Sequence, residues 1–237
     1  MSTRTKGKCK YCGKEYTKAY IVRHLASCEE RKIKIVAETG KKQCGYFELV
    51  ISAKYDRDYW LVIEIREDAT LADLDEFLRD IWLECCGHLS AFNIYGTCYE
   101  IEALDSFWGE SAENMNHKLK SVLQTGMCID YEYDFGSTTD LIISVTDYRR
   151  GYWKKEKIVI LSRNNPLEFL CDECHKKPAT VICSQCIYEG SGLLCDDCKK
   201  THECGEEMLL RICNSPRMGV CAYEGSNFYP DQFIPDK

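Results

Sequence analysis

Residues 46–65 read YFELVISAKYDRDYWLVIEI. Segments 46–53 and 59–65 have the β-branched and aromatic content of strands, and the polar KYDRD between them suits a hairpin loop. Downstream, Thr70 is an N-cap signal, and Leu71, Leu74, Phe77, Leu78, Ile81 and Trp82 form one apolar stripe at helical spacing. Asp and Glu of 64–84 are expected on the exposed side of that helix. Further strands are expected at 89–95, 97–101, 127–134, 139–148 and 157–161, with a short helix over 113–124 ending at Gly126. Strands and helices mixed over hairpin-length links predict an α+β fold with a central mixed sheet and packed helices, not a doubly wound parallel sheet.

The whole chain has 237 residues, 45 % apolar and 29 % charged, which predicts a folded core. No apolar run approaches the roughly 18 residues of a membrane span, and MSTRTKGKCKYCGK has no apolar signal segment, so the expectation is a cytoplasmic protein with no membrane partner. Seventeen cysteines in a reducing compartment point to metal ligation over disulfides. Cys44, Cys85, Cys86, Cys98, Cys128, Cys213 and Cys221 are scattered and read as small buried hydrophobes, with a ligand role as the alternative for Cys221. The other ten lie in CxxC pairs or beside a ligand-spaced histidine.

Four of the ligand candidates open the chain. Cys9, Cys12, His24 and Cys28 have a C-x2-C-x11-H-x3-C spacing: a CxxC turn offers two thiolates to one ion, and positions i and i+4 share a helix face. Thr17 is an N-cap signal for that helix. Tyr16 and Ile21 stand where a ββα finger carries its core residues, so the segment resembles a two-cysteine, two-histidine finger with cysteine as the last ligand. Residues 1–42 carry twelve Lys/Arg against four Asp/Glu, and the remainder 19 against 34. A basic head on an acidic body suggests contact with phosphate, with Lys6, Lys8, Lys10, Lys14, Lys18 and Arg23 around the finger and Arg31, Lys32 and Lys34 after it.

Beyond the break at Asn165-Pro166 come three CxxC pairs that start twelve residues apart: Cys171/Cys174, Cys183/Cys186 and Cys195/Cys198, then His202 and Cys204. Eight S/N donors suffice for two closed tetrahedral sites. Cys171-Asp172-Glu173-Cys174-His175 spells the haem c attachment pattern, but two sister pairs and no export signal argue against haem. The order of pairs resembles the B-box type of cross-braced zinc module. That resemblance implies one ion on Cys171, Cys174, Cys195 and Cys198 and another on Cys183, Cys186, His202 and Cys204; the short trailing spacing leaves Cys213 or His175 as substitutes for Cys204. About three structural zinc ions are expected in all.

The runs DATLADLDEFLRDIW (68–82), HLSAF (88–92) and YEYDFGSTTDLIISV (131–145) resemble the plasmid pRiA ORF-three-like family, also described as insertion-element passenger proteins of TnpR type. The resemblance covers roughly 46–165 and implies an α+β domain linked to mobile elements, with no activity to transfer. Ser137, Thr138 and Thr139 replace the family's usual Asp and Trp, whereas His88 matches its histidine. Asp134-Phe135-Gly136 spells the kinase DFG without any other kinase element.

The expected organisation is therefore a basic zinc finger at 1–42, the α+β domain at 43–165, and a B-box-like module with a turn-rich tail at 166–237. The expected function is non-catalytic: an interaction or adaptor protein meeting nucleic acid through 1–42 and protein through 166–213. Two alternatives are a metal-dependent hydrolase or nuclease with an incompletely ligated zinc, and a protein-only scaffold.

Overall fold

A computed structural model describes residues 4–101 and 112–236; residues 1–3 and 237, at the outer ends of the expected first and third modules, lie outside the described residues. The chain divides into two units. The first takes in the chain up to Phe77, then Leu89–Asn165 and the last residues from Phe233. The second takes in Leu78–His88 and Pro166–Gln232.

In the first unit the elements run β1 (Lys6–Lys8), β2 (Glu15–Thr17), α1 (Lys18–Ser27), α2 (Glu29–Val36), β3 (Gln43–Ala53), β4 (Trp60–Arg66) and α3 (Leu71–Leu78), whose last residue already belongs to the second unit. Then follow β5 (Ser90–Ile94), β6 (Thr97–Glu100), β7 (Glu113–Asn114), α4 (Leu119–Val122), β8 (Cys128–Tyr133), β9 (Thr139–Tyr152) and β10 (Ile158–Arg163). One eight-stranded sheet has the order β10-β4-β3-β9-β8-β5-β6-β7. Its pairs are antiparallel except β6 with β7, which makes it a mixed sheet.

The hairpin of 46–65 forms with Ile51 opposite Leu61 and Ser52 opposite Trp60. Its strands are nearly continuously apolar because both faces are covered, so period-2 alternation is lost. On one face Leu61, Ile63, Ile51, Ile143, Ile129 and Tyr131 are buried. Helix α3 meets this face through Asp75, whose Oδ1 accepts hydrogen bonds from Tyr131 Oη at 2.7 Å and Ser90 Oγ at 2.6 Å. The expectation that the carboxylates of 64–84 face solvent fails at Asp75 and Glu64, both buried. Each has buried donors for partners, which is the condition for removing a carboxylate from water.

The opposite face carries the N-terminal β1, β2 and α1. Cys9, Ile21, Leu25 and Cys28 share one buried cluster with Trp60, Val62 and Leu161. Hairpin β1–β2 continues this docking: Asn165 N–H donates to the Lys6 carbonyl at 2.7 Å and Lys10 N–H to the Leu161 carbonyl at 2.8 Å. The approach is so close that a Cβ on Gly7 would overlap the Arg163 carbonyl oxygen and come within 2.7 Å of the Trp60 ring.

Helix α2 is absent from the sequence expectations. Glu29 and Glu30 in its first turn and Lys34 in its last suit the helix dipole. It delivers Arg31 into the interior, against Glu48 at 2.7 Å and Glu64 at 3.4 Å. Arg31 is thus part of a buried ion network rather than the basic flank. Arg149 extends the network to Glu64 and Glu38, and Lys154 closes it on Glu38 at 2.6 Å.

Two local readings change for reasons of side-chain chemistry. The helix expected at 113–124 is reduced to β7, a turn and the four residues of α4. Asn114 Oδ1 accepts from the Asn116 N–H at 2.9 Å, a local bond that competes with helix. The 134–137 turn is a similar device: Asp134 sits at φ +64 and its Oδ1 accepts from Gly136 and Ser137 N–H groups. The DFG run is therefore a hairpin turn.

The second unit holds a small antiparallel sheet of β11 (Val181–Cys183), β12 (Leu193–Leu194) and β13 (Leu209–Arg211), in the order β12-β11-β13. The same unit contains the π-helical turn Arg79–Leu83, held by hydrogen bonds with the C-terminal part of the chain. Trp82 Nε1 donates to the Asn214 carbonyl at 3.1 Å, Ser215 Oγ to the Trp82 carbonyl at 2.6 Å, and Ser226 Oγ to the Asp80 carbonyl at 2.5 Å. Among the described residues no helix is long and apolar enough to cross a membrane.

Candidate metal centres

The twelve sequence-predicted ligands fall into three groups of four, and within each group the ligand atoms all lie within 4.8 Å of one another. A tetrahedral ion with sulfur bonds near 2.3 Å has S···S edges of about 3.8 Å, so each group is compact enough to hold a metal ion.

In the first group, β1–β2 presents Cys9 and Cys12 on a tight turn closed by the Gly13 N–H on the Cys9 carbonyl at 2.9 Å, with Gly13 at φ +70. Helix α1 brings His24 in its last turn and Cys28 at its C-cap. Cys12 Sγ is 3.2 Å from His24 Nε2, and the Tyr16 ring stacks on the imidazole with centroids 4.2 Å apart. Burial pushes the Cys28 thiol up to about 12 and raises Cys9 as well. Metal entry here expels protons, so affinity rises with pH.

In the second unit Cys171, Cys174, Cys195 and Cys198 form one group and Cys183, Cys186, His202 and Cys204 another. Strand β11 ends at Cys183 and β12 leads directly into Cys195, so one small sheet sets the two centres in register. His175, at φ +53, donates its N–H to the Cys171 carbonyl at 2.9 Å, the same turn as at Gly13. His202 Nε2 is 3.6 Å from Cys186 Sγ while its Nδ1 faces the Glu173 carboxylate at 3.7 Å. A carboxylate behind the ring orients the other nitrogen toward a metal.

Burial opposes ionisation of Cys171, but N–H groups of Cys174 and Cys195 outweigh it and hold the thiol down at about 6. Cys183 is likewise held at about 7, against its burial, by the Cys186 N–H and by His202. Their neighbours move the other way: Cys204 and Cys183 push Cys186 up to about 12, and Cys195 raises Cys198. One thiolate suppresses ionisation of the next until a cation enters.

A fourth group, Cys85, Cys86, His88 and Cys221, has the same compactness and escapes the sequence reading, which prefers its cysteines as small buried residues and offers a ligand role only as an alternative for Cys221. Cys86 and Cys221 are in fact exposed. The short Cys85-Cys86-x-His88 run is the available signal; Cys221, 135 residues from Cys86, is invisible to spacing. Cys44, Cys98, Cys128 and Cys213 belong to none of the four groups.

The basic residues of the first module are not equivalent. Lys6, Lys14 and Arg23 are exposed, and Arg23 lies over the Tyr20 ring at 4.8 Å. Lys10 is paired with Asp236 at 2.7 Å, and Lys8 is half-buried. Lys18, with Arg4 and Arg57, lines a cleft of about 270 Å³ at the start of α1; burial and the Arg57 charge lower its pKa. A larger cleft of about 510 Å³ carries charges of both signs, among them Lys34, Glu38, Lys154 and Asp236.

No curated protein matches the chain. A crystal structure of a protein of unknown function from Methanosarcina mazei Go1 is similar at a TM-score of 0.44 and 17 % identity, over 51 % of this chain and 70 % of that one. Residues 50–166 match the family model described as plasmid pRiA4b ORF-3-like protein. The matched stretch takes in most of the hairpin, α3 and the β8–β9 turn, and in this stretch the chain is similar to that family.

Proposed function

We propose that the chain is a non-catalytic, zinc-organised interaction protein of the cytoplasm, associated with mobile elements, that meets nucleic acid through residues 1–42 and a protein through residues 166–213. The observation that carries this reading is the closure of the three expected centres, each with four sulfur or nitrogen donors around one point. Such sets select a borderline-soft ion such as zinc and leave it no open position for water or substrate. A hydrolase would need a three-ligand site with a vacancy, and the fourth donor in each set argues against one.

Support for nucleic acid comes from the outward side of α1. Thr17, Tyr20 and Arg23 recur every third residue, the spacing at which a finger helix reaches successive bases. Tyr20 is 60 % exposed, and Thr17 and Lys18 at the start of the same helix line a cleft in which Arg4, Lys18 and Arg57 outnumber Asp58. The inward side of α1 is committed to the sheet, so the finger would meet a ligand as a fixed body. The family resemblance supports the mobile-element association.

Fluorescence anisotropy with labelled duplex and single-stranded oligonucleotides, at two salt concentrations, tests the reading. Binding should weaken steeply with salt, and Lys14→Gln with Arg23→Gln should reduce the log–log slope by about 1 for each phosphate that is no longer neutralised. Lys10→Gln should matter less, because Asp236 already holds that ammonium. Binding that ignores both salt and these variants would leave the protein-only scaffold.

A further inference from the structure

We propose that Cys85, Cys86, His88 and Cys221 form a fourth metal site, which takes one zinc-class divalent ion and clamps residues 85–88 to the turn at residue 221. The spacings are those of a tetrahedron with three sulfur corners and one nitrogen corner. Cys85 and Cys86 sulfurs are 3.7 Å apart, Cys86 and Cys221 3.5 Å, and His88 Nε2 stands 3.0 Å from Cys86 and 3.7 Å from Cys221. In the other three groups the corresponding contacts run from 3.2 to 3.9 Å. A disulfide would bring two sulfurs to about 2.05 Å and give the imidazole no role.

The backbone repeats the signature of the other centres. Gly87, directly after Cys86, has φ +79. The residue directly after a candidate ligand cysteine also has a positive φ at Gly13, His175 and Gly205. Cys221 itself lies at φ +56, a conformation that a residue with a Cβ adopts only where its surroundings hold it.

Those surroundings are built from both sides. The bonds of Trp82 to Asn214 and Ser215, and of Asp80 to Ser226, bring the two distant segments together before any ion is involved. Arg217, fully buried, directs an Nη donor to Cys85 Sγ at 3.5 Å. A guanidinium behind a ligating sulfur stabilises the thiolate form that a metal needs. The nearby Glu84 carboxylate accepts from the Gly87 N–H instead of joining the donor set.

One property separates this site from its sisters. Each of the others has at least one buried cysteine, whereas here no ligand is buried and two are exposed. Its ion is therefore the first that a chelator reaches, and the second unit can lose this clamp while keeping both of its inner centres.

Native mass spectrometry of the full chain, purified with zinc under reductant, reads the site directly. Four bound ions are expected, falling to three in the Cys86→Ser/Cys221→Ser double variant and in His88→Ala. In a chelator chase one ion should leave at least tenfold faster than the rest, and that phase should vanish in both variants. A parent with no more than three ions overturns the proposal, as does a variant that keeps the parent's count and its fast phase. Should the double variant unfold and lose several ions, the milder His88→Ala decides by the same criteria. Thiol titration showing a Cys86–Cys221 disulfide beside three ions also overturns it. The count needs no nucleic acid, so it stands or falls separately from the proposed function.

Discussion

Arg31, on the helix behind the finger, donates to Glu48 on β3 at 2.7 Å, and each side chain is only 6 % exposed. The pair ties the finger segment to the sheet from inside. Breaking such a pair leaves an uncompensated buried charge and typically costs about 3–5 kcal/mol, while an apolar pair of similar volume is close to neutral. Arg31→Ala should therefore lower stability by about that amount, and Arg31→Met with Glu48→Leu should recover most of it. Denaturant unfolding at fixed zinc concentration checks both. Equal losses in the single and double variants would mean that the finger does not depend on this join.

Asp75 receives hydroxyl hydrogen bonds from Tyr131 and Ser90 at the centre of the α3-covered face. Hydrogen bonds to a charged acceptor are worth about 1.5–3 kcal/mol each. Asp75→Ala should cost about 3 kcal/mol or more by the same bond energies, and Asp75→Asn less, since an amide oxygen can still accept. The ratio of the two losses, measured by thermal or urea melting, is the informative quantity. A harmless Asp75→Ala would remove the carboxylate from the account of the core.

Acid should weaken the ion network in a defined direction. Burial raises the Glu38 carboxyl, but hydrogen bonds from Arg149 and Lys154 outweigh it and hold it below its ordinary value of 4.5. Asp68 and Asp236 are depressed in the same sense, burial opposing and Arg66, or Lys10 with Lys34, prevailing. A carboxyl depressed in the folded state contributes stability that is fully present above its unfolded value. That stability is lost as pH falls through the folded value. Glu38→Gln should thus be less stable than the parent near neutrality, by about 1 kcal/mol, and the gap should close as pH falls below 4.5. Because the candidate metal ligands are common to both proteins, any acid release of metal cancels in the comparison. A gap that stays constant with pH would count against the role of Glu38.

Much of this is legible in the sequence where the signal is local. The 46–65 hairpin, the α3 stripe and the four CxxC pairs announce themselves within a few residues, since turn geometry and ligand spacing are short-range. What escapes is set by distant partners. Arg31 looks like one more charge in a basic run until Glu48 and Glu64 are seen beside it. Asp75 looks like the polar side of an amphipathic helix until Tyr131 is found beneath it. Cys85 and Cys86 read as small core residues because Cys221, the donor that completes their group, lies over 130 positions away. The helix expected at 113–124 fails for the opposite reason, since a local asparagine bond at Asn114 competes with the helical pattern.

The most direct test of the account is the zinc content of the full chain, purified under reductant, measured by elemental analysis alongside circular dichroism during chelation. At least three ions per chain are predicted, with loss of the buried-cysteine centres accompanied by unfolding of the residues they hold, because structural metal binding is folding free energy. A chain that stays folded with no zinc, or that carries its cysteines as disulfides, would contradict the claim that metal centres organise this protein.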